Sequence, residues 1–263
     1  MTSPADYRKL YDLSGKVALV AGGAGGIGAA ICEAFAAFGA TVVVCGRTGT
    51  KAEALAARIN GQGGKAWGAQ LDVMNVGEVR AFVPEVAERF GKIDVVVNSV
   101  GILREAPALE YTEEDWDYAL DLNLKAAFFL SQAVAREQVA RGSGGKHIHI
   151  SSVRSMLGLP KRGYISYCAS KGGLNMLIKH LATEWAKYEI TVNGIAPTFV
   201  RTELVAHMLA DPEFYNPLVA RIPLGRICEP RDVAALAVYL AAPASDFITG
   251  QIIFADGGIT ASQ

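Results

Sequence analysis

Tyr167 and Lys171 stand four positions apart in the stretch YISYCASKGGLNMLIKHLATEW. A helical period there puts both side chains on one face. A phenol ordinarily titrates at about 10, and an ammonium beside it favours the phenolate and lowers that value. Tyr167 would then serve as a general acid–base near neutrality. The same spacing also occurs in plain amphipathic surface pairs, so the pair alone does not decide. A second group of residues suggests a ligand. The apolar run Val17–Ala21 leads directly into Gly22, Gly23, Gly25, Gly26 and Gly28, and a helical pattern follows. Gly23, Gly25 and Gly28 satisfy G-x-G-x-x-G; Gly22, Gly26 and Gly28 give an alternative spacing. In either register, glycines allow a tight turn and let backbone N–H groups approach a pyrophosphate at a helix N-terminus. Directly after the first strand of a βαβ unit, such a turn implies a dinucleotide. An acid at the end of the second strand would bind the ribose 2′-hydroxyl of NAD. Here the chain reads Val44-Cys45-Gly46-Arg47-Thr48, without that acid. Arg47 can pair with a 2′-phosphate, so NADP is the expected cofactor and NAD the alternative.

Residues so far apart in sequence need a scaffold, and the pattern supplies one. Strand-like runs appear at Val17–Ala21, Thr41–Cys45, Ala66–Leu71, Asp94–Asn98, His147–Ser151, Ile190–Ile195 and Gln251–Ala255. Segments of helical period lie between them, including Ala29–Phe38, Ala52–Ile59 and Val79–Phe90. Strands alternating with helices predict an α/β fold: one Rossmann-type, doubly wound parallel sheet of about seven strands with helices on both faces. The 263 residues fit one such domain over 1–263. The stretch from Ala196 to about Arg226 carries Pro197, Pro212, Pro217 and Pro223 and reads as a long irregular lid. With 51% hydrophobic and 19% charged residues the composition is globular rather than disordered. A net charge of −1 without a basic stripe argues against nucleic acid. Every apolar stretch is interrupted before it could span a bilayer, and Met1–Leu10 shows no signal-peptide pattern. Cys32, Cys45, Cys168 and Cys228 are isolated, which suits a reducing, cytoplasmic setting.

The chain resembles the short-chain dehydrogenase/reductase family over essentially its whole length, with matching features in family order. Gly22, Gly26 and Gly28 match the cofactor turn. Leu71–Val73 matches the segment in which Asp72 would contact adenine, and Asn98–Gly101 occupies the place of N-N-A-G. Asn123 matches the catalytic asparagine, Ser152 the serine, and Tyr167-x-x-x-Lys171 the acid–base pair. Asn193–Thr202 and Asp256–Gly258 complete the set. Departures occur at Ala21, usually threonine, at Ser99-Val100, and at Thr198 after Pro197. The resemblance implies that Tyr167 exchanges the proton with the substrate oxygen. Lys171 would lower the Tyr167 pKa and hold the nicotinamide ribose. Ser152 would donate to the developing oxyanion, and Asn123 would place a water that relays protons to Lys171. It also implies cofactor contacts from Ile27, Asn98, Gly101, Pro197, Val200 and Thr202. The Ser152–Tyr167 spacing is longer than usual, and an insertion near Leu159–Gly163 would explain it; Ser151 and Ser155 are the alternatives.

Other polar residues invite a reading. His147 and His149 share one strand face, but no further ligands converge on them, so they are expected to be structural and no metal site is expected. Cys168 is expected to be an inert thiol. Arg104 and Arg154 follow the fourth and fifth strands, where ligands bind in this architecture, and either could receive a substrate carboxylate. Arg201–Leu204, Asp211–Phe214 and Asp256–Ser262 resemble the gluconate 5-dehydrogenase and sugar-acid group. The expected substrate is therefore a small molecule, a secondary alcohol or ketone on a sugar acid. A 3-oxoacyl-carrier-protein reductase is the alternative enzyme, and a non-catalytic nicotinamide sensor the alternative class. The family implies a homo-oligomer, commonly a tetramer.

Overall fold

The computed structural model describes residues 4–159 and 162–262. Its sheet contains β1 Val17–Ala21, β2 Thr41–Gly46, β3 Lys65–Gln70, β4 Val95–Asn98, β5 Gly145–Ile150, β6 Ile190–Pro197 and β7 Ile252–Ala255. All are parallel, in the order β3-β2-β1-β4-β5-β6-β7. The helices are α1 Pro4–Lys9, α2 Gly26–Ala37, α3 Gly49–Gly61, α4 Val76–Phe90, α5 Glu113–Leu120, α6 Ala126–Arg141, α7 Ile165–Trp185, α8 Ala206–Leu209, α9 Pro212–Ala220 and α10 Pro230–Ala241. The strand runs expected from the sequence sit within a residue or two of these bounds.

β1 lies near the middle of the sheet and is buried on both faces, which is why it reads as an unbroken apolar run. Ala18 and Val20 pack with Val42, Val44 and Val97 beneath Ile31 and Phe35 of α2 and Val233 and Val238 of α10. Val17 and Leu19 face the other way, against Val79 and Val83 of α4 and Leu130 and Val134 of α6. This two-sided core fixes β1 and β4 side by side, and so fixes where their C-terminal ends open.

Two elements differ from their sequence pattern. The stretch expected to be irregular from Ala196 is largely ordered: β6 runs on to Pro197, and a 3₁₀ turn at Glu203–Val205, α8 and α9 follow. Pro212 occupies the first turn of α9, where no N–H is missed, and the Asp211 carboxylate accepts from Glu213 N–H. Proline there starts a helix rather than breaking one. Between α5 and α6 the chain does not leave helical geometry; Asp121–Lys125 forms a π-turn, an insertion that re-aims side chains. No helix among the described residues is long and apolar enough to cross a membrane.

His147 and His149 point into the core beneath β5. His147 Nε2 lies 3.0 Å from Gln138 Oε1, and His149 Nε2 lies 3.2 Å from Ser131 Oγ. The described residues contain no cluster of three or more metal-ligating side chains. Burial, helped by the mutual repulsion of the pair, holds His147 at about 3. Burial and nearby Lys171 hold His149 at about 4. In the unfolded chain both titrate at about 6.5, so protons bind the unfolded state first as pH falls. Stability is therefore complete above about 6.5 and lost progressively below it. At pH 5 the two together cost about 4 kcal/mol relative to pH 7.5. Urea midpoints at the two pH values should show this drop, and His149→Gln should remove about half of it. Equal midpoints would contradict the buried neutral assignment.

Candidate active site

The sheet order reverses between β1 and β4: β2 and β3 extend one way, and β5 to β7 the other. Loops leaving these strands diverge, and a crevice opens at their C-terminal ends. Two cavities occupy it, of about 480 and about 600 Å³. Gly22, Gly46, Arg47, Leu71, Val73 and Gly101 border the first. Gly26, Ile27, Ser152, Tyr167, Lys171 and Thr202 border the second, with Gly101 shared between them.

The glycine turn shows which register matters. Gly22 has φ +74°, and a Cβ on it would meet the Ser99 carbonyl carbon at 3.0 Å. Gly26 has φ +48° and lies against Thr202. A Cβ on Gly28 would meet Gly22 O at 2.1 Å, a contact no side chain can make. Gly25, by contrast, is extended with open space around it. Gly23 is also crowded, since a Cβ there would meet Val20 O at 2.8 Å, but only Gly22 and Gly26 need positive φ; with Gly28 they shape the turn that brings the start of the twelve-residue α2 to the second cavity. Open N–H groups at a helix start, with Arg47 bordering the first cavity, fit a phosphorylated dinucleotide. Ile27, Pro197, Val200 and Thr202 line the second cavity. Asp72 and Asn98 do not line either cavity. Asp72 Oδ1 accepts from Met74 N at 3.0 Å, while its neighbours Leu71 and Val73 form the wall. Asn98 is buried, and its Oδ1 accepts from Val100 N at 3.1 Å, turning the β4 exit into the crevice.

Ser152, Tyr167 and Lys171 come together on the wall of the second cavity. Lys171 is buried, and its Nζ donates to Ile150 O at 2.8 Å. Nζ lies 5.6 Å from the centre of the Tyr167 ring, and burial pulls the ammonium down to about 8. The expected lowering of the phenol by Lys171 is not what this arrangement gives. Desolvation raises the Tyr167 pKa, and a side-chain hydrogen bond with Ser152 is the chief opposing influence. Ser151 and Ser155 are turned elsewhere: Ser151 Oγ donates to Asn175 Oδ1 at 2.7 Å, and Ser155 Oγ to Ser152 O at 2.6 Å. The expected insertion near Leu159–Gly163 includes Pro160 and Lys161, which lie outside the described residues.

Asn123 sits in the π-turn, fully buried behind the cavity wall. Its amide brackets Ile102, accepting from Ile102 N at 2.8 Å and donating to Ile102 O at 2.9 Å. Asn123 Oδ1 and Lys171 Nζ each lie 3.5 Å from where a Cβ on Gly101 would stand. Glycine there leaves space between the asparagine and the lysine.

The two arginines part company. Arg104 lines neither cavity; its Nε lies 3.5 Å from Asp115 and its guanidinium 5.1 Å from the Tyr118 ring centre. Arg154 lines the second cavity and is buried. Tyr164 and Thr198 also line it, and sequence reasoning missed both as site residues. Tyr164 precedes α7 by one position, at the edge of the helical stretch. Cys168 is half-buried, and desolvation raises its thiol, which fits the inert reading.

Comparison with known proteins fits this geometry. The family described as enoyl-(acyl carrier protein) reductase matches residues 22–260. Gluconate 5-dehydrogenase of Gluconobacter oxydans is 38% identical over 253 residues, covering 96% of this chain and 98% of that protein. D-threitol dehydrogenase of Mycolicibacterium smegmatis is 41% identical over 250 residues, covering 95% of each. The solved structure of a gluconate 5-dehydrogenase from Burkholderia cenocepacia, in complex with NADP and tartrate, superposes with a TM-score of 0.93. It is 39% identical, covering 97% of this chain and 99% of that one.

Proposed function

The chain belongs to the short-chain dehydrogenase/reductase family, an NAD(P)-dependent dehydrogenase/reductase acting on CH–OH groups, and from that premise we propose that it interconverts a keto and a hydroxy sugar acid with NADP. The observation that carries this reading is the convergence of Ser152, Tyr167 and Lys171 on one cavity beside the glycine turn. Bound there, NADP would supply the nicotinamide that carries the hydride. Tyr167 gives its proton to the substrate oxygen in reduction and takes it back in oxidation. Ser152 donates a hydrogen bond to the same oxygen as charge develops. Lys171 would hold the nicotinamide ribose and, through it, resupply the proton that Tyr167 gives up. Asn123, through the space beside Gly101, places the water that returns a proton to Lys171. Arg47 would receive the 2′-phosphate. The same reading includes a homotetramer, which a mass measurement in solution tests, and a reducing, cytoplasmic setting for the four free cysteines.

The likeness to D-threitol dehydrogenase favours a second reading, a neutral polyol as substrate. Sugar acids, neutral ketoses and polyols, and 3-oxoacyl thioesters should be compared at matched concentration with NADPH, NADP and the NAD pair. Sugar acids with NADP(H) are expected to give the highest kcat/KM, and Arg47→Ala to weaken NADPH about tenfold or more. Thioester preference would assign the chain to acyl reduction instead. Tight NADPH binding with no turnover of any class would favour a sensor.

A further inference from the structure

Resting on the sugar-acid reading above, we propose that the second cavity contains a carboxylate subsite, in which Arg154 Nη2 and Tyr164 Oη receive the acid end of the substrate. The described residues contain six buried side-chain polar atoms without a hydrogen-bond partner. Three of them, Arg154 Nη2, Tyr164 Oη and Thr198 Oγ1, belong to residues lining this one cavity. Unpartnered buried donors are rare in folded proteins, and three around a cavity that also holds Tyr167 imply a polar ligand.

The chemistry selects the ligand's charge. Arg154 is 4% exposed. Its Nη1 donates to Leu157 O and Gly158 O, at 3.3 and 2.6 Å. Those two bonds fix the guanidinium plane and leave Nη2 without a partner. No carboxylate appears among the groups that act on its charge; Arg221 adds a second positive charge, and Cys168, Tyr164 and Tyr167 are the remaining neighbours. A buried cation with no carboxylate acting on it among the described residues is suited to an anion brought by the ligand. Tyr164 is likewise buried, and its hydroxyl can donate a second bond to a carboxylate. Arg104, the other arginine near the crevice, is already matched by Asp115. Arg154 is thus assigned as the residue that separates acids from neutral polyols of the same length.

The test uses the intact protein with NADP. kcat/KM is measured for 5-keto-D-gluconate and for fructose, a neutral ketohexose. Binding of tartrate to the NADP-loaded protein is measured by calorimetry. Arg154→Gln is expected to lower kcat/KM for the acid about 100-fold, leave the neutral ketose within about twofold, and abolish tartrate binding. Arg154→Lys should restore part of the acid activity, since the charge returns without the fork. Tyr164→Phe removes only an unpartnered hydroxyl, so it should fold normally and cost the acid about tenfold; it serves as the test if Arg154→Gln does not fold. Equal losses on acid and neutral substrates, or tartrate binding unchanged by both variants, overturn the subsite. Arg154-dependent tartrate binding without turnover of any sugar acid keeps the subsite and removes the sugar-acid reading. Acid turnover indifferent to Arg154 and Tyr164 does the reverse.

Discussion

Replacing Tyr167 with Phe is expected to lower kcat about 1,000-fold while NADPH binding stays within about twofold of wild type. Phenylalanine keeps the ring and its packing, so the variant loses only the hydroxyl that borders the cavity beside Ser152. Without it the substrate oxygen has no positioned proton donor, while the glycine turn and Arg47 are untouched. Lys171→Ala should behave differently, losing turnover and weakening the cofactor together, because the ammonium serves both the phenol and the ribose in this reading. Burial also sets a pH limit. Lys171 is held at about 8, so its charge is present below that value and lost above it. A neutral lysine has no proton to pass on to the tyrosine after it has donated its own. Ketone reduction should therefore decline as pH rises past about 8, whereas Lys171→Arg should move that decline upward. Stopped-flow and steady-state rates across pH, with fluorescence titration of NADPH, measure all three. A Tyr167→Phe enzyme with near-normal turnover would remove the phenol from the mechanism.

The sheet was legible because β1, β2 and β4 are buried on both faces and are apolar along most of their length, and glycines or short loops mark their ends. The placement of Arg47 and of the Tyr167–Lys171 pair at the crevice was legible because their spacing relative to a strand end or helix turn is local. The glycine register was not, since Gly23, Gly25 and Gly28 satisfy the same string; only positive φ at Gly22 and Gly26, against the open space around Gly25, separates them. Asp72, just past β3, and Asn98, the last residue of β4, spend their carboxylate and amide oxygens on nearby N–H groups, which no spacing rule reveals. Arg104 and Arg154 look alike in sequence, each just past a strand. Among the described residues, Asp115 pairs with Arg104, and no carboxylate acts on Arg154. The π-turn at Asn123 escapes a period-based reading because it preserves helical dihedrals on either side.

Ser152→Ala should lower kcat about 100-fold, with Ser151→Ala and Ser155→Ala each within about fivefold of wild type. Three serines stand within five residues of one another, and their partners decide between them. Ser151 Oγ is spent on Asn175, between the end of β5 and α7. Its loss leaves Asn175 short of one bond and costs about 1 kcal/mol of stability without touching the reacting oxygen. Ser155 Oγ is spent on the Ser152 carbonyl, so its removal loosens the turn that presents Ser152 and acts only through it. Ser152 Oγ accepts from Arg154 N–H at 3.1 Å, which leaves its own proton for the Tyr167 oxygen or for a substrate oxygen between them. An N–H that orients an acceptor lone pair while the hydroxyl proton stays free is the arrangement an oxyanion donor requires. Ser152→Thr keeps that proton and should recover part of the lost rate, limited by the methyl group. Thermal melts of the four variants separate stability from rate. A larger rate loss at Ser151 or Ser155 than at Ser152, with melting temperatures equal, would place the oxyanion donor on the wrong serine.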